Sequence, residues 1–178
     1  MKESNCFEIL SVKILNNDTS IDSDFEFEIF YEIKHILKES KYFFYYRDWK
    51  VCFNSKGFKI KFVYVISPID DKKDQELEII ELPGEKIGRF KVKVSIPPPN
   101  FNNVCVDEII GVTILLLIIK FESVEKLRIG YYVSNNCFIE NFDQINTSRR
   151  RIFENTKRKI LTDQPRITRF IGSNNIKK

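Results

Sequence analysis

Alanine, the best helix-forming residue, is missing altogether from this chain of 178 residues, while 16 are phenylalanine and 7 tyrosine. Losing it while gaining aromatic and β-branched side chains points toward a β protein. Histidine is nearly absent too. His35 is the single one, so any Ser-His-Asp or Cys-His arrangement would have to be built on it. It sits beside Lys34 and Lys38 in a stretch without a period and reads as a surface residue. Cys6, Cys52, Cys105 and Cys137 contain no Cys-x-x-Cys pair, which removes ordinary zinc-ligand spacing. Nothing at the N-terminus resembles a signal peptide, so reduced thiols in an intracellular protein are expected. There is no Gly-rich phosphate loop, and Asp70, Asp71 and Asp74 read as a solvated acidic turn. We therefore expect no catalytic residue, no metal and no cofactor, and a protein that is not an enzyme.

Long apolar runs are also lacking. The stretch 109–119 is about half the ~20 residues that a membrane helix requires. It is β-branched and contains Gly111 and Thr113, so it reads as a strand of a soluble protein with no membrane partner. Neither charge sign dominates: 29 basic and 25 acidic side chains leave a net +4, too mild to argue for nucleic acid. With 43% hydrophobic and 30% charged residues the composition is globular, and the length suits one domain with a proper core.

What is present alternates. Phe25–Ile33 places Phe25, Phe27, Ile29, Tyr31 and Ile33 on one side, the mark of a half-buried strand. Residues 59–66 repeat the pattern with Ile60, Phe62, Tyr64 and Ile66 inward. Further strands are expected at 7–15, 76–81, 89–96, 110–121, 125–133 and 166–171. Ser67-Pro68, Pro83-Gly84, Pro97-Pro98-Pro99-Asn100 and Asn135-Asn136 supply the turns. The fold expected is all-β, an antiparallel sandwich or barrel, with one short helix near the C-terminus over 149–161. Thr147 or Ser148 would cap that helix and Pro165 would follow it. The core should span 1–171, with an insertion or irregular edge near 34–57 and a short disordered tail at 172–178. Asn17-Asp18-Thr19 and Asn146-Thr147-Ser148 match the glycosylation pattern by chance.

Two clusters carry more than bulk information. Arg149-Arg150-Arg151 with Lys157-Arg158-Lys159 is either the wet face of the helix or a phosphate contact or import signal. The run Gly111-Val112-Thr113-Ile114-Leu115-Leu116-Leu117-Ile118-Ile119 is apolar on both faces, whereas a sandwich strand normally shows water one face. One set fills the core. The other is covered by the chain itself or marks an interaction site. Arg128 and Tyr132 share a face on the next strand, a composition suited to a protein-binding hot spot. Asp74 and Glu108 offer an acidic rim for a basic partner.

Gly111-Val112-Thr113, then Arg128-Ile129-Gly130-Tyr131-Tyr132-Val133, then Pro165-Arg166-Ile167-Thr168-Arg169-Phe170 closely resemble the anti-silencing function histone chaperones. The blocks stand in the family's order, and the likeness reaches back through Arg89 to Asp74-Gln75. It implies an immunoglobulin-like β-sandwich that binds histones three and four as a heterodimer, blocking tetramer formation during nucleosome assembly and disassembly. Val112, Ile114 and Leu116 would form the apolar centre, with Arg128 and Tyr132 beside them and Asp74 and Glu108 facing basic histone side chains. The tail of the fourth histone would add a strand beside Arg166, Ile167 and Thr168, near Leu161. A second site for peptides of downstream chromatin-assembly factors would fall near Lys61, Glu78, Ile80 and Leu82, without the acidic residues expected beside it. Residues 34–57 replace the family's short link and acidic stretch; the following strand aligns with 59–66 or with Trp49-Lys50-Val51, and 59–66 is preferred because it runs without a gap into Asp74-Gln75. The implied location is the nucleus, with the cytoplasm second, and no direct nucleic-acid role. The residues alone also fit an interaction domain for another basic partner, or for nucleic acid.

Overall fold

Alternation in the sequence becomes two main antiparallel sheets in the computed structural model. It describes residues 7–34, 42–46, 49–53, 58–67, 70–84, 86–121, 124–139 and 148–170. The smaller sheet has the order β1 (Phe7–Ile14), β3 (Phe25–Ile33), β8 (Gly88–Ile96). The larger runs β2 (Thr19–Ser20), β11 (Thr156–Arg169), β10 (Val124–Cys137), β9 (Gly111–Phe121), β6 (Phe58–Val65), β7 (Gln75–Leu82). Two short helices, α1 (Val106–Ile109) and α2 (Arg149–Glu154), lead into β9 and β11. The expected all-β sandwich is present. The tail expected at 172–178 lies outside the described residues, as does His35.

The two sheets share one core because their inward positions are large and apolar. Phe25, Phe27, Ile29, Tyr31 and Ile33 of β3 are at most 2% exposed. They meet Ile60, Phe62 and Tyr64 of β6, with ring centroids 5.2 Å apart for Phe27–Phe62 and 6.2 Å for Phe25–Tyr64. Leu115, Leu117 and Ile119 of β9 complete the layer. Burial of each such side chain is worth about 1.5–3 kcal/mol.

Two expectations need correction. Residues 34–57 are not wholly irregular: β4 (Tyr42–Tyr46) and β5 (Trp49–Phe53) form an antiparallel pair of their own. Helix α2 is shorter than 149–161. Ser148 caps it, its hydroxyl accepting from the Arg151 N–H, and Asn155 ends it by donating to the Ile152 and Phe153 carbonyls. From Thr156 onward the chain alternates as a strand, with Thr156, Arg158 and Ile160 buried and Lys157, Lys159 and Leu161 exposed. Pro165 therefore lies inside β11.

The same geometry dismantles the basic cluster. Arg149 turns inward and donates to the carbonyls of Phe101 and Val104, the latter at 2.8 Å. Arg158 is 1% exposed, with its guanidinium 3.6 Å from the Phe25 ring centroid. It donates to the Ser23 carbonyl at 2.8 Å and the Asp24 carbonyl at 3.0 Å. Burial lowers its pKa to about 10, so it stays charged at neutral pH. Arg158→Ala leaves those carbonyls without their charged donor and is expected to cost about 3 kcal/mol in urea unfolding. Lys157→Ala, one residue away on the exposed side, should stay within about 0.5 kcal/mol of the parent.

Candidate functional site

The outer face of the larger sheet can be read from its register. Since β9 turns Leu115, Leu117 and Ile119 inward, Val112, Ile114, Leu116 and Ile118 must point outward. Ile114 stands between Val65 and Tyr132, and Tyr132 is opposite Leu161. Leu116 stands between Val63 and Gly130, and Gly130 is opposite Arg166. Ile118 stands between Lys61 and Arg128, and Arg128 is opposite Thr168. Among the described residues nothing covers the face: Val112 is 69% exposed, Leu161 44% and Tyr132 37%.

At its middle the face has a hollow because Gly130 contributes no side chain. A Cβ there would lie 3.2 Å from Leu116 Cδ2 and 3.7 Å from Ile114 Cγ2. The resulting pocket, of about 100 Å³, is walled by Ile114, Leu116, Arg128, Tyr132, Arg166 and Thr168. Glu125 holds Arg128 in a two-pronged ion pair (2.8 and 3.0 Å), and the guanidinium lies 5.6 Å from the Phe170 ring centroid.

One side of the face ends in an open strand edge. Along 157–160 the outer edge of β11 is occupied: Lys157 and Arg158 pair with Ser20 and Thr19. The Asn17 side chain then acts as a surrogate strand, donating to the Ile160 carbonyl and accepting from its N–H, both at 2.8 Å. Residues 162–165 bulge out opposite Tyr131 alone, and pairing with β10 resumes at Arg166. Phe170 N–H donates to the Lys126 carbonyl at 3.0 Å, which sets the phase of this ladder. Arg166 and Thr168 share that phase and turn their backbone groups to β10. Ile167 and Arg169 turn theirs outward, where no described strand pairs with them.

The opposite rim is acidic. Asp74 directly precedes β7, and Glu108 lies in α1 just before β9. Lys73 Nζ reaches Glu108 Oε1 at 2.6 Å. One Asp74 oxygen accepts from the Ile66 backbone, while Oδ1 is enclosed without a hydrogen-bond partner.

Of the positions singled out in the sequence, six wall the pocket, Val112 and Leu161 extend the same face, and Asp74 and Glu108 sit at its rim. Of the peptide-site positions, Glu78, Ile80 and Leu82 share one side of β7, where Leu82 is 1% exposed in the core, while Lys61 lies on the opposite face of the sheet and pairs with Glu76. Sequence reading missed Gly130, Glu125, Asn17, Val63 and Val65. The two valines carried a usable signal, since 62–66 is apolar on both faces just as 112–119 is.

Comparison with known proteins fits this geometry. The model of the family described as ASF1 like histone chaperone matches residues 4–174. The chain belongs to that family. The probable histone chaperone ASF1A of Arabidopsis thaliana is 31% identical over 163 residues, covering 92% of this chain and 74% of that protein. Histone chaperone asf1 of Dictyostelium discoideum is 29% identical over 162 residues, covering 91% and 94%. Histone chaperone ASF1 of Coccidioides immitis is 30% identical over 162 residues, and there the chain spans 53% of its relative.

As an ASF1-like histone chaperone the chain is a binding protein and not an enzyme, and its outer face offers surface complementarity rather than bond chemistry. At the rim, Asp74 is the shifted carboxyl. Desolvation first, then Asp71 and Asp70, raise its pKa above the ordinary aspartate value. A raised folded-state pKa means that the folded protein holds this proton more tightly than the unfolded chain does. Stability is therefore lost as the pH climbs from the ordinary value through the raised one, and the loss is complete above it. Asp74→Asn is expected to raise the thermal unfolding midpoint at pH 7. The gain should disappear below the ordinary aspartate range, where the parent carboxyl is protonated in both states.

Proposed function

We propose that this histone chaperone binds histones three and four as a heterodimer through the outer face of its larger sheet, covering the surface they use to form a tetramer. The observation that carries the reading is the pair of apolar faces on β9, one in the core and one exposed around the Gly130 pocket. An open apolar patch centred on Ile114 and Leu116, with Arg and Tyr beside it, suits a hot spot, and Asp74 and Glu108 suit a basic partner. The open edge at Ile167 and Arg169 suits a histone tail adding one strand, backbone bonds giving affinity and the pocket giving selectivity. Such a role belongs to chromatin, and the nucleus is the location it implies.

Ile114→Arg tests the face. Losing the apolar contact and placing an unpaired charge in a desolvated centre opposite a basic protein should weaken capture by more than about a hundredfold, from ~3 kcal/mol or more. In the free protein the arginine points into water, so the unfolding midpoint should barely move. Normal binding, or a variant that unfolds, would contradict the assignment.

Ile167→Pro tests the edge. It removes an outward N–H without touching the β10 ladder, so it should weaken binding of full-length histones and leave tail-deleted ones unaffected. Thr168→Pro instead breaks a bond to β10 and should also lower the unfolding midpoint. Equal affinity of the unmodified chaperone for both histone forms would argue against an added strand.

A further inference from the structure

The acidic rim is not empty in the free protein. Lys73 closes the short turn Asp71–Lys73, immediately before Asp74, and its ammonium sits on Glu108, 35 residues away in sequence. Both side chains remain partly in water, 44% exposed for Lys73 and 25% for Glu108. The lysine is committed to Glu108 by that contact, and Asp70 is its other acidic neighbour. The two carboxylates are thus in different states. Glu108 already holds a cation supplied by its own chain, while Asp74 keeps one enclosed oxygen without a hydrogen-bond partner.

An exposed ion pair is weak and screened by salt, so it can be opened, but an incoming cation must still compete with it. We infer that Lys73 is a built-in competitor for the partner's cation at Glu108, making that carboxylate available only when the lysine swings away. This rests on the proposed histone-binding reading and deepens it: the chaperone carries an internal stand-in for one basic side chain of its partner. The affinity is set below what the rim could reach, which favours release. A partner without a cation at this position neither gains from Glu108 nor displaces Lys73, so the competitor narrows the advantage that a cationic partner has here.

The test is a double-substitution cycle on the full chain with the purified histone three–four heterodimer, read as dissociation constants at one salt concentration. Lys73→Gln should bind about threefold tighter, the size expected of one exposed ion pair. Glu108→Gln should bind more weakly. The double variant should match Glu108→Gln, because without Glu108 there is nothing to compete for. Raising the salt should shrink the Lys73→Gln gain. The competitor role is overturned if Lys73→Gln binds no tighter than the parent. It is equally overturned if its gain persists in full beside Glu108→Gln, since the lysine would then act through overall charge alone. Ile114→Arg, run alongside, separates the layers. If it still binds, the outer-face reading itself fails. If it does not bind and the cycle shows no coupling, the Lys73 inference alone falls.

Discussion

A strand in the middle of a sheet has two faces and two edges to satisfy, and β9 satisfies both edges and one face within its own chain. β6 and β10 take its backbone bonds, and the core takes Leu115, Leu117 and Ile119 at no more than 1% exposure. Its other face carries equally apolar side chains, with no layer over them among the described residues. Turning them polar would cost the fold little, because outward positions of a sandwich strand are ordinarily wet. On the proposed reading their apolarity is explained by what docks there rather than by folding. The pocket over Gly130, the Arg128–Glu125 clamp and the acidic rim are all arranged about this strand.

The edges obey the same logic. Unpaired strand edges invite association, and folded proteins usually cover them. Along β11 the cover is deliberate and partial. β2 pairs with Lys157 and Arg158, Asn17 imitates a strand at Ile160, and Arg158 ties the preceding β3 segment down from beneath. The cover stops where the chain bulges at 162–165, and two residues beyond it present outward backbone groups beside the pocket. A closed edge that opens only next to the apolar patch limits strand addition to a segment that also fits the patch.

How much of this could be read beforehand depended on whether a strand kept its alternation visible. β3 did, since every inward position is Phe, Tyr or Ile, and its span matches residue for residue. β9 was legible for the opposite reason, its missing alternation naming the face to examine. The first half of β11 was hidden because Arg158 occupies an inward position, so a buried cation broke the apolar period and left spacing that resembled a helix. The pair β4 and β5 was hidden by aromatic residues at every position of 42–46. Asn17 resembled a chance sugar acceptor because its role depends on a carbonyl and an amide 143 residues away. Gly130 could be seen but not interpreted, since a hollow exists only once Leu116 and Arg166 stand on either side of it.

Residue-resolved amide exchange with and without the histone three–four heterodimer tests the central claim most directly. In the free chaperone the Ile167 and Arg169 amides should exchange quickly, as unpaired groups do, while Thr168 is protected by β10. Adding the histones should slow Ile167 and Arg169 strongly and leave β3 and β8 unchanged. Protection that instead appears on β3 or β8, with Ile167 and Arg169 still fast, would contradict the account.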